Sequence, residues 1–311
     1  MIDIVFLGTP DFAVPSLKAL VENGYNVKAV FTQPDRPQGR GNRVAYSPVK
    51  EYALENSIPV FQPARIRLEP ELLESLKPDL MVTCAFGQIL SRENLAVPKL
   101  GCVNVHGSLL PKYRGSSPIQ WAVINGEKET GITTMFTDIG VDCGDILLQK
   151  KTEIGENETA GELFDRLSLL GAETLIETVK LLEEGKITRI KQNEDEATHY
   201  PMLDKQNAWL DFSKSAFEIN NKIRGLNPWP VAWTVCGGEI IKIYSAKVTD
   251  KKSSKAPGTV VTCDSKNGLM VATGDYDLAI DLMQLSGKKA MNSRVFFVGN
   301  NLKADILKYE C

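Results

Sequence analysis

Asn104 and His106 stand two residues apart at the end of a predicted strand, so both side chains leave one face while Val105 leaves the other. An amide and an imidazole fixed side by side can hydrogen-bond one reacting oxygen. His106 is one of only two histidines, which makes it the leading candidate for proton transfer near neutral pH. The loop that follows, Gly107-Ser108-Leu109-Leu110-Pro111-Lys112-Tyr113-Arg114-Gly115, has glycine at both ends, where tight turns and close ligand approach are allowed. A second segment, Thr137 to Ile146, carries Asp138, Asp142 and Asp145 among Gly140 and Gly144 after another predicted strand. It reads as a loop bringing a carboxylate into the same crevice, and residue types alone leave open which aspartate acts. Cys143 lies beside Asp142 without an arranged base, so a thiol nucleophile is not expected. His199, in an acidic connector, reads as a surface residue.

The elements that must position these groups follow from hydrophobic pattern. Asp3 to Gly8 is nearly all apolar, as in a strand buried on both faces. Helical stretches near 13–22, 45–55 and 69–76 alternate with strands at 26–32, 79–85 and 102–106, and strands near 131–137 and 145–153 follow. Strand, crossover helix and strand repeated in this way predict a Rossmann-like α/β fold with a mostly parallel sheet. Its ligands belong outside the carboxyl ends of the strands. A long amphipathic helix is expected over 158–182, with its stripe at Leu163, Leu167, Leu170, Leu175, Ile176, Val179 and Leu182. After residue 207 the texture changes to a helix near 214–223 and five short β-rich runs between 231 and 285, with turn signals at Gly237-Gly238 and Asn267-Gly268. A small β-barrel of the oligonucleotide-binding type fits that pattern. The expected division is 1–189 catalytic, 190–206 linker and 207–311 barrel.

Composition narrows the functional classes. The first turn has Gly8 followed by Pro10 and lacks G-x-G-x-x-G, so a dinucleotide-binding dehydrogenase is not expected. Six cysteines occur without a C-x-x-C pair, which argues against a structural metal or a disulfide framework and for a reducing cytosol. No basic, apolar leader opens the chain and no apolar run approaches a membrane span, so a soluble cytoplasmic protein is expected. The net charge of −3 conceals a split: 22 basic against 29 acidic residues over 1–206, and 14 against 10 over 207–311. The second half can therefore meet an anionic partner.

Asn104-x-His106, Ser108-Leu109-Leu110-Pro111 with Tyr113-Arg114-Gly115, and Asp142 ahead of Gly144 resemble the signature of the folate-dependent formyltransferases. Phe6-Leu7-Gly8-Thr9-Pro10-Asp11-Phe12, Gln33-Pro34-Asp35-Arg36-Pro37 and Ile223-Arg224-Gly225-Leu226-Asn227-Pro228-Trp229-Pro230 further resemble the branch of that family acting on charged initiator tRNA, over essentially the whole chain. The resemblance implies 10-formyltetrahydrofolate as formyl donor, no metal, and the amino group of methionyl-initiator-tRNA as acceptor, in a monomer. It implies Asn104 and His106 as donors to charge developing on the formyl oxygen, with Asp142 orienting His106 and drawing the proton from the amine. It also implies that the loop from Cys84, with Phe86, Gly87, Gln88, Ile89 and Leu90, frames the pterin together with Gly140 and Val141. It implies further that Ser108, Leu109, Leu110 and Pro111 lie along the folate, and an apolar wall would suit the flat pterin.

Arg36, Arg40 and Arg43 sit in a segment too polar for the core and read as an exposed loop. The resemblance takes this insertion, Arg40 foremost, to the end of the acceptor stem, where unpaired ends and stem shape are recognised. The barrel would supply a second, largely electrostatic footing. A sugar-nucleotide N-formyltransferase would reuse the same centre but needs a diphosphate-sugar site in place of the arginine insertion and basic barrel. A non-catalytic RNA-binding protein would not need Asn104, His106 and Asp142 together.

Overall fold

Ile4, Val5, Phe6 and Leu7 are all fully buried, as in a strand covered on both faces. The computed structural model describes residues 2–38 and 43–308, and this run lies inside a seven-stranded sheet. Its strands are β1 (Asp3–Gly8), β2 (Asn26–Phe31), β3 (Val60–Phe61), β4 (Leu80–Cys84), β5 (Cys102–His106), β6 (Glu129–Phe136) and β7 (Ile146–Glu153). Their spatial order is β7-β6-β5-β4-β1-β2-β3. The first five pair in parallel, in the 3-2-1-4-5 order of a doubly wound sheet, so its switch point lies between β1 and β4. Helices Val14–Glu22, Pro48–Glu55 and Pro70–Leu76 supply the crossovers that parallel neighbours require. The predicted long helix runs Ala160–Glu183.

β6 and β7 depart from the parallel rule: β6 runs antiparallel to β5, and β7 antiparallel to β6. The loop after β6 therefore starts beside Val103, the partner of Phe136, whereas His106 pairs with Thr133. Three residues of strand are about 10 Å, so the aspartate loop must double back to reach the end of β5. The sequence reading placed this loop in the crevice without that reversal.

The described ends of the Arg-rich segment pair with each other. Arg36–Gln38 and Arg43–Ala45 form an antiparallel ladder, with Arg36 opposite Ala45 and Gln38 opposite Arg43. Pairing the two arms satisfies backbone groups that an excursion would otherwise leave to water. Arg36 is exposed, and Arg40 lies outside the described residues.

By compactness the chain forms two units, one of residues 1–115, 129–153 and 164–200, the other of 116–128, 154–163 and 201–311. Residues 190–200 of the expected 190–206 linker fall in the first unit, where Ile190 bridges to Ile146 and His199–Tyr200 pairs in parallel with Arg114–Gly115; 201–206 fall in the second. His199 itself is exposed.

The second unit is strand-rich and antiparallel. Its strands β8 (Ala232–Cys236), β9 (Glu239–Lys252), β10 (Val260–Asp264), β11 (Gly268–Val271), β12 (Tyr276–Leu285) and β13 (Leu307–Lys308) follow the order β10-β11-β12-β9-β8-β13. An antiparallel bridge between Thr259 and Ile306 joins the two outer strands, with Leu307 N donating to the Gly258 carbonyl at 2.8 Å. The sheet thereby closes into a barrel, which removes its open edges. Phe212, Ile219, Ile241, Ile243, Leu278 and Phe296 lie in its core. The helix Ala216–Gly225 on that core starts in a capping box of Ser215 and Glu218.

Candidate active site

At the end of β5, Asn104 and His106 do project from one face, Asn104 half-buried and His106 only 6% exposed. The β4–β5 register sets Thr83 beside Asn104, and the Thr83 hydroxyl donates to Asn104 Oδ1 at 2.8 Å. That bond decides which way the amide points. It engages the carbonyl end and leaves Nδ2, a donor, without a partner among the described residues.

His106 is held from both sides. Its Nε2 is 3.0 Å from the Tyr113 carbonyl oxygen. A carbonyl only accepts, so the proton of this contact is on Nε2, which leaves Nδ1 as the working nitrogen. Nδ1 is 3.7 Å from Asp142 Oδ2, with both side chains largely buried. This separation exceeds hydrogen-bond length. It lets the carboxylate act on the imidazole electrostatically while Nδ1 remains able to bind a third group. Of the three aspartates open to choice from sequence, the structure brings Asp142 to His106.

The Asp142 loop is fixed by its backbone. Asp142 has φ of 50°, a left-handed conformation that Asp tolerates better than most residues. Its Oδ2 accepts from the Gly115 amide at 2.8 Å. Gly115, at φ of 115°, sits where a Cβ would overlap the Tyr200 carbonyl, and a Cβ at Gly144 would overlap the Phe136 carbonyl. Both glycines are therefore required by close backbone approach.

The loop from Gly107 is prebuilt. Ser108, fully buried, donates through Oγ to the Lys112 carbonyl at 2.7 Å. Thr133 Oγ1 donates to the Ser108 carbonyl at 2.6 Å and accepts from Leu110 N at 3.1 Å. Gln149 donates to the Leu110 carbonyl at 2.8 Å. Leu110 is buried, while Leu109 and Pro111 are half-buried.

Among the remaining predicted contacts, the side chains of Phe86 and Leu90 belong to the core cluster with Leu7, Phe31 and Met81. The Phe86 carbonyl accepts from Thr9 Oγ1 at 3.0 Å and Gln33 Nε2 at 3.2 Å, which ties the loop after β4 to those after β1 and β2 beside the switch point. Both ends of the Gln88 amide anchor the loop, Oε1 accepting from Ile66 N and Nε2 donating to the Pro63 carbonyl. Gly87 and Gly140 are exposed, and so are the apolar side chains Ile89, Ile139 and Val141, at 71%, 52% and 61%. Solvent-facing apolar side chains on loops beside buried polar groups suit a flat ring system with a polar edge. Among the described residues no group of three or more His, Cys, Asp or Glu is placed to hold a metal.

Residue types did not reveal the supports. Thr83, Thr133, Gln192 and Thr198 act through register and tertiary contact. Arg114 stood out only as part of a motif. It is 2% exposed and makes a bidentate pair with Glu194 at 2.9 and 2.8 Å. Hydrogen bonding to Glu194 first, opposed by burial, holds the guanidinium above its ordinary range, and the same bond holds Glu194 below the usual carboxylate value. Thr198 receives the Tyr113 amide at 2.8 Å on its hydroxyl and the Arg114 amide at 2.9 Å on its carbonyl. Tyr113 and Tyr200 stack with ring centroids 4.8 Å apart.

Known proteins resemble this chain in sequence and in fold. Residues 2–179 match the family described as formyl transferase, and residues 202–301 match the formyl transferase C-terminal domain. The methionyl-tRNA formyltransferase of Clostridium novyi is 50% identical over 305 residues, 97% of this chain and 98% of that protein. That of Clostridioides difficile is 48% identical over 98% of this chain and 99% of its own length. Among solved structures, an N-formyltransferase from Helicobacter canadensis, described with folinic acid and dTDP-3-aminofucose, superposes with a TM-score of 0.68 at 22% identity, over 90% of this chain and 99% of that one. HypX from Aquifex aeolicus, described with tetrahydrofolic acid, gives 0.64 at 17% identity over 99% of this chain and 51% of its own. These two likenesses are of fold. With both family matches in sequence and relatives near half identity end to end, the chain belongs to the formyl transferase family.

Proposed function

We propose that this protein transfers the formyl group of 10-formyltetrahydrofolate to the free amino group of methionyl-initiator-tRNA, giving N-formylmethionyl-tRNA for translation initiation. The observation that carries this reading is the arrangement of Asn104, His106 and Asp142 in a chain about half identical, end to end, to methionyl-tRNA formyltransferases. The folate supplies an activated formyl carbon. The amine nitrogen bonds to that carbon, the bond to the folate nitrogen breaks, and the proton lost by the amine ends on that nitrogen. The Asn104 amide and the His106 imidazole bind the charge that develops on the formyl oxygen, where preorganised donors have most effect. Asp142 Oδ1, which carries no hydrogen bond among the described residues, accepts the amine proton directly or through water.

The pterin site is framed by the segment Phe86, Gly87, Gln88, Ile89 and Leu90 with Gly140 and Val141. Ser108, Leu109, Leu110 and Pro111 lie along the rest of the folate. The buried Phe86 and Leu90 hold that frame from below, and exposed Ile89 and Val141 offer apolar surface to the ring. Arg36, Arg40 and Arg43 contact the acceptor end of the tRNA, and the basic barrel binds its phosphates. The functional division is 1–189 for chemistry, 190–206 as connector and 207–311 for tRNA. The protein acts as a cytoplasmic monomer, a reading supported by the free state of all five described cysteines as far as compartment goes. Among the described residues no helix is long and apolar enough to cross a membrane.

The test is formyl transfer to charged initiator tRNA, charged elongator methionyl-tRNA and a nucleotide-linked amino sugar in parallel. Selective transfer to the initiator is expected. Transfer to the sugar alone would retain the chemistry of the centre and overturn the reading of the Arg-rich segment and barrel.

A further inference from the structure

Gln192 lies in the acidic connector and is 5% exposed. Its amide uses all its hydrogen-bonding capacity. Nε2 donates to the carbonyls of Asp142 and Gly144, each at 2.8 Å. Oε1 accepts from Arg114 Nε at 3.1 Å and Nη2 at 2.8 Å. The two carbonyls bracket Cys143 and so fix the backbone on which the Asp142 carboxylate is mounted. Arg114 is flanked by the two residues that complete the site: the Tyr113 carbonyl takes His106 Nε2–H, and the Gly115 amide donates to Asp142 Oδ2. One buried amide thus ties the loop carrying the carboxylate to the strand that orients both the carboxylate and the imidazole.

We propose that Gln192 is a positioning residue for formyl transfer, setting the Asp142 carboxylate against His106 by bracing the Asp142 and Gly144 carbonyls to Arg114. This rests on the reading that Asp142 and His106 carry the chemistry. Charged Glu194, 66% exposed, pairs with the far side of Arg114. Its solvent-facing ion pair cannot replace the two donations from Gln192, since Arg114 itself makes no bond to the Asp142 loop among the described residues.

Three single variants and one double variant of the full chain test it: Gln192→Met, Gln192→Glu, Asp142→Asn, and Gln192→Met with Asp142→Asn. Displacing a reacting group by a fraction of an ångström to an ångström costs up to about 100-fold. Gln192→Met is expected to lower kcat roughly 10- to 100-fold, with KM for charged tRNA and tetrahydrofolate affinity within about 3-fold. Gln192→Glu keeps an acceptor for Arg114 but turns an oxygen toward the two carbonyls, so it should fold and lose kcat to a similar degree. In the Asp142→Asn background, Gln192→Met should cost no more than about 3-fold further, because residues acting through one group are not additive.

Unchanged kcat in Gln192→Met, or losses that multiply in the double variant, overturn the brace while leaving the catalytic reading intact. Loss of folding in both Gln192 variants makes the residue purely structural and equally overturns it. Full activity in Asp142→Asn overturns the catalytic reading, and the brace with it.

Discussion

Replacing Asn104 by Ala and, separately, Thr83 by Val separates the proposed donor to the formyl oxygen from the hydroxyl that orients it. Asn104→Ala removes the Nδ2 donor outright, and loss of one such donor costs about 2.7–4 kcal/mol, or roughly 10²–10³ in kcat. Thr83→Val keeps the shape of a buried residue and removes only the hydroxyl that donates to Asn104 Oδ1 at 2.8 Å. A neutral hydrogen bond of this kind contributes about 0.5–1.5 kcal/mol net. That energy is the bias holding the amide with its donor outward, so its loss lowers kcat by about 2- to 10-fold and no more. The half-buried Asn104 still has its strand and its neighbours, so KM for either substrate stays within about 3-fold. The assay is steady-state formyl transfer with each substrate varied in turn, alongside thermal unfolding of both variants. An Asn104→Ala enzyme within 5-fold of the parent, on the order of 1 kcal/mol, would remove the amide from the mechanism. A Thr83→Val enzyme as slow as Asn104→Ala, with unchanged stability, would show that the hydroxyl does more than orient.

Three further outcomes are expected. Gly144→Ala forces a Cβ onto the Phe136 carbonyl beneath the Asp142 loop; about 1–3 kcal/mol of strain should lower the melting temperature and kcat together, and a variant unchanged in both refutes the claimed close approach. Burial pushes the Cys84 and Cys102 thiols up to about 12, so brief iodoacetamide treatment followed by mass spectrometry should label exposed Cys263 and spare both until denaturant is added. The Asp35 carboxyl is held below its ordinary value of 3.8, chiefly by hydrogen bonding to Lys50 and then Gln62. A depressed folded value means the stabilisation is present above 3.8 and lost as pH falls through the lower folded value, so Asp35→Asn should melt lower at neutral pH, with the gap closing in acid; a gap that widens in acid reverses the sign.

The amino-acid sequence by itself determined the kind of fold and the spacing of its candidate residues. The unbroken apolar run at Ile4–Leu7, with a turn signal straight after it, reads as a strand covered on both faces, and the i, i+2 spacing of Asn104 and His106 on a strand puts them on one face whatever surrounds them. Local periodicity also dictated the long helix and the change to β-structure in the second half, because each depends on side chains a few residues apart. Tertiary structure decided what depends on residues far apart. The antiparallel insertion of β6, and hence the doubling back of the loop that presents Asp142, is a matter of strand order, to which hydrophobic period is blind. Closure of the barrel rests on a two-residue strand at Leu307–Lys308, too short to show a period. The groups that aim the site lie in the same category: Thr83 reaches Asn104 through register, and Gln192 and Thr198 come from a polar stretch that reads as a linker until its backbone pairs with Arg114–Gly115. A glutamine in an acidic connector looks like any solvated side chain. Only burial against two carbonyls and a guanidinium gives it its four hydrogen bonds, and burial is a property of the folded chain.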